Sequence, residues 1–471
     1  MRHFFLRISK LLLPISLVSI MNLACANAND LPDLARYENE RGLSNPSYIL
    51  GQYWFRKING SAGLIEFPPA YNYLREAVAS IVPNTGLYDK TIDLALLNST
   101  ETNAFVIPGN HLFIYSDILR LINNESTLMG LLAHEVSHLE LHHYQRSLEN
   151  QKNEQAKALL LVLAGVAAAT AGDGETTSAL WLGGMANQVE NMLSYSRAHE
   201  QEADRRGREL MQLSGFPTSG MNELLAGLFK QSLGSNRIEF LSTHPLPQNR
   251  QSDSLTGQEQ TSVLFTPSSD SFRYFRATLL SYRAALEGNR YRNFLSSSLT
   301  TSDEYHYGLA LAELLMHYNE TALENINKVQ SRNEFVDYLK TIIYLTVDQD
   351  EQAKQVIEDR LALAPNDLTF TYLAGQVKEQ KPYLRTTPDQ LGYEKRMVYR
   401  HNIAVARQRN NQPYALYNHA LLQFELGKDK PALNLINRAI KQSSGSDRSE
   451  MESMKTQLEL LEDAQRREDL N

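Results

Sequence analysis

The sequence predicts an α+β protein that is mainly helical and that carries a small sheet in its first third. From about residue 125 to 149, apolar residues recur with the period of a helix. Two short apolar segments, 92–97 and 105–115, are typical of strands. Beyond about residue 270 the pattern is helical and repetitive. A chain of 471 residues is too long for one compact core, so we expect two or three domains.

The first 28 residues have the pattern of a secretory signal peptide. Three basic residues precede an apolar run over residues 11–23, and a small-residue cleavage site ends at Ala28. Cleavage there would remove three positive charges and take the formal charge from -8 to -11. The alternative is lipidation of Cys25, the only cysteine in the sequence. We therefore expect a secreted protein whose mature chain has no disulfide.

Composition excludes two classes of protein. The net negative charge and the absence of a basic tract argue against a nucleic-acid binder. The apolar segment 158–172 has only 15 residues, fewer than the roughly 20 that a spanning helix needs. We interpret it as a buried helix or as a lid over the active site, and we expect no transmembrane span in the mature chain.

The remaining elements before residue 270 follow from local pattern. Residues 29–65 are polar and read as irregular, whereas 68–83 predict a helix with one apolar face. Asn124 is a suitable N-cap for the helix 125–149. A further helix, 186–213, should stop at Gly215, which is followed by a proline two residues later.

Two histidines in the helix 125–149 suit a shared metal ion. His134 and His138 lie four residues apart, so both imidazoles project from one helical face. Zinc suits neutral imidazole, and a catalytic site needs a third protein ligand and one position for water. Glu135 lies beside the pair, where it can take a proton from water and pass it to a leaving amine. Alone, this motif is also compatible with an exposed helix that carries it by chance.

A second motif about 60 residues downstream supplies the missing carboxylates. Glu200 and Asp204 also lie four residues apart on one helical face. Glu200 would complete a His-His-Glu site, and Asp204 could accept the second ring N–H of a ligand histidine.

Four neighbours of these motifs are expected to stay outside the metal site. Glu202 should be solvated, and His142 should be structural or exposed. His143 and His199 are expected at the surface.

The segments HEVSH and EQEAD together resemble the gluzincin metallopeptidase family that includes HtpX and the CAAX prenyl proteases. The resemblance extends over residues 103–250 and takes in the turn Pro108-Gly109-Asn110 and the segment Thr243-His244-Pro245. It implies a gluzincin-type metallopeptidase domain over residues 29–255, with one zinc ion per chain. It also implies that His134, His138 and Glu200 bind the zinc ion. Glu135 would be the base, and Asp204 would be the supporting carboxylate.

Two departures from the family pattern lie beside the expected substrate-binding strand. The family usually has two glycines where this chain has Gly109-Asn110, and a glycine at the position of Asp117. These departures bear on the shape of the substrate site rather than on metal binding. Residues 105–107 are our candidate for an exposed strand edge to which an extended substrate can pair, although a core strand would look the same.

His244 is a candidate fourth ligand. It lies in a loop punctuated by prolines that must return to the catalytic helices if the family fold holds. There it could occupy the open position of the zinc ion and keep the enzyme idle, or it could be a buried hydrogen-bonding histidine. Arg250 is a weaker candidate for stabilising an oxyanion.

The region 270–471 resembles an all-α tetratricopeptide-repeat domain, and the segment 251–270, rich in Ser, Thr and Gln, marks the boundary before it. Alanine recurs where paired helices must approach closely, for example at Ala322 and, 31 residues later, at Ala353. A generic helical bundle is the alternative. A stacked helical array offers a concave surface for peptides or protein partners.

Within the family, the chain is similar to a periplasmic branch that combines a signal peptide, this catalytic domain and C-terminal repeats. That likeness implies an envelope endopeptidase acting on misfolded proteins, especially outer-membrane β-barrel proteins stalled during assembly. It implies the barrel assembly machinery as a partner. Two other interpretations stay open: a chaperone with a dormant metal site, and a repeat scaffold with a structural zinc ion.

Overall fold

The computed structural model describes residues 45–61, 63–150, 196–233, 240, 244, 268–377, 382–387 and 390–468. The predicted signal peptide, the apolar segment 158–172, Arg250 and most of the boundary segment 251–270 lie outside the described residues. Within the described ranges, no helix is both long enough and apolar enough to cross a bilayer.

Six helices and three strands are described up to residue 233. They are α1 (Pro46–Asn59), α2 (Pro68–Ile81), β1 (Asp93–Leu97), β2 (Ala104–Ile107), β3 (His111–Tyr115), α3 (Glu125–Glu140), α4 (His143–Asn150), α5 (Arg197–Leu213) and α6 (Ser219–Ser232). Short 3₁₀ segments, Val82–Asn84 and Ser116–Arg120, follow α2 and β3.

Two predicted elements differ from the structure. The segment predicted to be irregular contains α1, which begins where the Asn45 side chain accepts hydrogen bonds from two backbone amides and Pro46 takes the first position. The single helix predicted over 125–149 divides at His142, whose φ of 51° ends α3 before α4 starts. The predicted cap is confirmed, because Asn124 Oδ1 accepts from the Thr127 amide at 2.9 Å.

The sheet has the order β1-β3-β2. β1 runs parallel to β3, whereas β2 and β3 are antiparallel and are joined by the predicted turn. Gly109 and Asn110 both have positive φ, 84° and 61°, and asparagine is one of the few other residues that tolerates this conformation. The side-chain Nδ2 of Asn110 also donates a hydrogen bond to the Asp89 backbone carbonyl at 3.0 Å. Since β2 pairs only with β3 among the described strands, it is an edge strand of the sheet. Its residues are all buried, however, which agrees with the alternative of a core strand rather than with an exposed edge at 105–107.

Helix α3 is the centre of the N-terminal region. Every residue from 127 to 139 is buried, so the helix is enclosed on all sides by β2, α5 and α6. Glycines permit the close approach of α6: a Cβ on Gly220 would lie 2.1 Å from the Ser126 carbonyl oxygen. The polar side chains of α3 are therefore held in a tightly packed, dry environment.

The described chain beyond residue 268 is helical. Its helices are α7 (Asp270–Ala285), α8 (Tyr291–Ser298), α9 (Ser302–Leu315), α10 (Asn319–Ile326), α11 (Glu334–Thr346), α12 (Asp350–Leu363), α13 (Leu368–Val377), α14 (Gly392–Gln408), α15 (Gln412–Glu425), α16 (Asp429–Lys441) and α17 (Gly445–Glu468). From α9 onward each helix packs on the next. Ala322 and Ala353 are fully buried at such contacts. This confirms the predicted fold class, α+β and mainly α, while the tetratricopeptide assignment stays a prediction.

The helical region shares its apolar core with the N-terminal region. Helix α2 packs against α7, α11 and α14. Tyr71 of α2 stacks on Tyr393 with ring centroids 4.4 Å apart, and Phe67 meets Tyr338 edge-on at 4.7 Å. One continuous apolar cluster therefore runs from the sheet into the helices that follow residue 270.

A buried ion pair also joins the two regions. Asp117 is 1% exposed, and its carboxylate accepts from Arg283 Nε of α7 at 2.8 Å and from the Thr102 hydroxyl at 2.6 Å. A buried carboxylate is tolerated only when it is paired and hydrogen-bonded in this way. The charged residue that departs from the family pattern is thus a contact to the helical region.

We predict opposite effects for two substitutions in α6. Gly220→Ala should lower the free energy of unfolding by about 1–3 kcal/mol, because its methyl group would overlap the Ser126 backbone and move α6 away from α3. Gly227→Ala is the matched control, since its methyl group would come no closer than 3.9 Å to Leu121. It should be neutral or stabilise by up to about 1 kcal/mol. Urea unfolding measures both, and equal stability of the two variants would contradict the packing described.

Candidate metal centre

The close packing of α3 on α5 brings the two sequence motifs together. The Nε2 atoms of His134 and His138 lie 3.1 Å apart. Glu200 of α5 places one carboxylate oxygen 3.5 Å from His134 Nε2 and the other 3.4 Å from His138 Nε2. The three side chains are buried, so their donor atoms face one another and not solvent.

His244 joins these three residues. Its Nδ1 lies 3.1 Å from Glu200 Oε1 and 3.4 Å from His134 Nε2. One ligand atom from each of the four residues can be chosen so that all lie within 4.8 Å of one another, as a metal ion would require. His244 is thus buried within the cluster and within hydrogen-bond distance of Glu200, a position that fits both a fourth ligand and a buried hydrogen-bonding histidine.

Phe240 holds His244 in this place. The His244 amide donates to the Phe240 carbonyl at 2.8 Å, and the two rings stack with centroids 4.5 Å apart. The Phe240 amide in turn donates to the Thr102 carbonyl at 3.0 Å. Thr102 is the residue whose hydroxyl binds Asp117, so the fourth residue of the cluster is tied to the ion pair with α7.

The second ring nitrogen of each α3 histidine also has a neighbour. Asp204 Oδ1 lies 3.0 Å from His134 Nδ1, the position predicted for it. His143 Nδ1 forms a 2.9 Å hydrogen bond with His138 Nδ1, and its Nε2 lies 3.2 Å from Glu202. If His138 keeps its Nε2 lone pair for a metal, its Nδ1–H must donate to His143, which then donates its own Nε2–H to Glu202.

The predicted surface positions of His143 and His199 are wrong. His143 is 0% and His199 6% exposed, and their rings stack on each other at 4.5 Å. Burial lowers the pKa of the His143 imidazole to about 4, so this ring is neutral. Glu202 is partly buried against His143 and Arg146, whereas His142 is exposed as expected. The helix break at His142 turns His143 inward, a change that helical periodicity cannot predict.

The electrostatics of the cluster suit a cation. Burial raises the pKa of the Glu200 carboxyl, but the surrounding histidines lower it by more, and the pKa lies well below its usual value. Burial lowers the pKa of His138 well below its usual value, although Glu200 opposes this change. Burial also lowers the pKa of His134, but contacts with Asp204 and Glu200 raise it to about 9. Two buried carboxylates thus favour positive charge at this point.

Glu135 completes the arrangement. Its carboxyl is fully buried beside the cluster, and its Oε1 lies 3.6 Å from His244 Nε2. The side chain predicted as a base and the side chain predicted as a fourth ligand therefore face each other across the same small space.

Comparison with known proteins agrees with this geometry. Residues 69–254 match the peptidase family M48. The chain is 26% identical over 413 residues to the β-barrel assembly-enhancing protease of Escherichia coli K12, covering 88% of this chain and 77% of that protein. It is 29% identical over 260 residues to the protein of the same name from Yersinia pestis, covering 55% and 53% of the two chains.

The chain is also similar to a mitochondrial protein. The mitochondrial metalloendopeptidase OMA1 of Schizosaccharomyces pombe is 28% identical over 192 residues, which is 41% of this chain and 54% of that protein. The predicted resemblance is confirmed by these matches. Together with the buried His-His-Glu-His cluster, the match of residues 69–254 to this family indicates that the protein is a metallopeptidase.

Proposed function

We propose that this protein is a zinc-dependent endopeptidase of the bacterial periplasm that degrades misfolded or stalled envelope proteins. The observation that carries the proposal is the convergence of His134, His138 and Glu200 around one point with Glu135 beside it. The likeness to the β-barrel assembly-enhancing proteases supports outer-membrane β-barrel proteins as the main substrates, and a role in assisting their assembly.

The residues of the cluster fit zinc better than other common ions. Three imidazole nitrogens and a carboxylate oxygen are typical zinc donors, whereas calcium and magnesium prefer oxygen ligands. His134, His138 and Glu200 would hold the ion, with Asp204 and His143 fixing the orientation of the two α3 imidazoles. When bound, zinc would polarise the scissile carbonyl and acidify a water molecule.

Glu135 would move the protons of the reaction. Its carboxylate follows His134 directly in α3 and is shielded from solvent. There it would accept a proton from the attacking water and deliver it to the leaving amine, which needs one group in both roles. A buried carboxylate suits this cycle because the surrounding protein excludes competing water.

His244 would act as a removable fourth ligand. Its Nδ1 lies among the other ligand atoms, and its Nε2 lies close to Glu135. In this position the imidazole would fill the place that substrate and water need, and the enzyme would be idle. Movement of His244 away from the cluster would open the site.

The edge strand β2 would hold the substrate. An extended polypeptide would add to the outer side of this strand through main-chain hydrogen bonds, which tolerates varied side chains. Such tolerance suits an endopeptidase for unfolded clients. The helical region would contact clients or the barrel assembly machinery.

A second candidate function is that of a chaperone or adaptor with a dormant metal site. The observation that favours it is the presence of His244 where a catalytic site would keep an open position. In that case the helical region would bind clients and the four-residue cluster would be structural.

We predict that Glu135→Gln abolishes cleavage but keeps zinc. The amide cannot accept the proton, so the rate should fall by about 100-fold or more, while the three ligands stay in place. Cleavage of an unfolded protein and zinc content of the purified chain measure the two effects. The matched control is Glu200→Gln, which should lose zinc as well as activity. If Glu135→Gln cleaves as fast as the wild-type protein, Glu135 is not the base.

We predict that His143→Leu weakens zinc binding by about 10- to 100-fold, because the Nδ1–H of His138 then has no acceptor. Competition with a chromophoric chelator measures the affinity. His142→Asn is the matched control, since His142 is exposed and asparagine tolerates its positive φ. Equal zinc affinity of the two variants would show that His143 does not support His138.

We predict that His244→Ala raises peptidase activity, because the substitution frees the fourth position while leaving Glu135 and the other ligands unchanged. Turnover of an unfolded protein by enzyme of equal zinc content measures the gain. Activity at or below that of the wild-type protein would count against a removable ligand and in favour of the dormant site.

A further inference from the structure

A cavity of about 310 Å³ lies where the 3₁₀ segment Ser116–Arg120 meets α7 and α8. Three arginines line it, Arg120, Arg283 and Arg290, together with Phe294 and Glu287. The residues of the metal centre do not line this cavity, so its chemistry is separate from the proposed hydrolysis.

Arg283 lines this cavity and carries a buried donor that makes no hydrogen bond among the described residues. Its side chain is only 8% exposed. Nε donates a hydrogen bond to Asp117 at 2.8 Å, and Nη2 forms an ion pair with Glu287 at 2.8 Å. Among the described residues, its Nη1 makes no hydrogen bond although it is buried. Leaving a buried charged donor unpaired is costly, and an acceptor oxygen from a ligand would remove that cost.

The charge of the cavity is positive. Asp117 and Glu287 offset two of the three guanidinium charges, which leaves one positive charge in excess. Arg120 reaches Asp117 only at 3.5 Å and its side chain is 48% exposed. Arg290 forms an ion pair with Glu287 at 2.9 Å and is 79% exposed, so both outer arginines are able to turn toward a ligand.

Phe294 orders the guanidinium groups. Its ring centroid lies 5.3 Å from the Arg283 Cζ and 5.9 Å from the Arg120 Cζ. Such contacts favour the cationic form and restrict the rotation of the planar groups. Restricted guanidinium groups lose less entropy when they bind a ligand.

We propose that this arginine pocket binds an oxyanion, either a carboxylate or a phosphate. Both groups present paired oxygens that match the geometry of guanidinium donors. Arg120 and Arg290 would contact the ligand from the rim, and the charge of Arg283 would add to the attraction.

Calorimetric titration of the full chain with inorganic phosphate and with acetate, at constant ionic strength in chloride, tests the proposal. At least one anion should bind, and Arg120→Gln and Arg290→Gln should each weaken binding by about fivefold or more. Arg448→Gln is the matched control, because it removes an exposed arginine on α17 and should leave the affinity unchanged. Glu287→Gln should tighten binding, since it removes a carboxylate that competes for two of the arginines.

The test uses substitutions of Arg120 and Arg290 rather than of Arg283. Arg283 also pairs with the buried Asp117, so replacing Arg283 would disturb the fold. Tighter binding of phosphate would identify a phosphate-bearing ligand, and tighter binding of acetate a carboxylate such as a peptide C-terminus. The proposal is overturned if neither anion binds, or if the rim variants bind as the wild-type protein does. Neither outcome depends on peptidase activity.

Discussion

The approach of α5 to α3 is the constraint on which the candidate metal centre depends. This packing brings Glu200 within 3.5 Å of both His134 and His138, although about 60 residues separate the two sequence motifs. Gly207 permits this approach, because a Cβ there would lie 3.3 Å from the Ala133 backbone and 2.9 Å from the Met221 side chain. The position of the carboxylate is therefore set by helix packing rather than by a flexible loop, which favours the preorganisation that metal sites need.

A metal centre in a fully buried helix must satisfy its polar groups from within the protein. Asp204 lies beside His134, and His143 hydrogen-bonds to His138 and relays the contact to Glu202. Each imidazole is thus held at the nitrogen that does not face the cluster. Because the interior has a low effective dielectric, these contacts determine the orientation and basicity of the ligands more strongly than they would at a surface.

The part of the site that could be predicted from the sequence is the set of residues spaced one helical turn apart. The pairs His134/His138 and Glu200/Asp204 are each four residues apart. The structure brings His134, His138 and Glu200 to one point and Asp204 to the outward ring nitrogen of His134. The inward turn of His143 was not predictable, because it depends on a single residue of positive φ that interrupts the helix. The Asp117–Arg283 pair was likewise missed, since no local pattern links two residues 166 positions apart. Helix α1 was overlooked because its cap at Asn45 lies in a polar segment.

The contacts that position His244 connect the helical region to the candidate metal centre, although the two are far apart in the sequence. Arg283 donates a hydrogen bond to Asp117, whose carboxylate also accepts one from Thr102. The Thr102 carbonyl accepts from the Phe240 backbone amide, and the Phe240 ring stacks on His244. Any movement of α7 against the sheet must therefore break one of these buried hydrogen bonds or displace the His244 imidazole. Substitutions in the helical region can therefore alter the position of His244 beside Glu200 without touching the cluster itself.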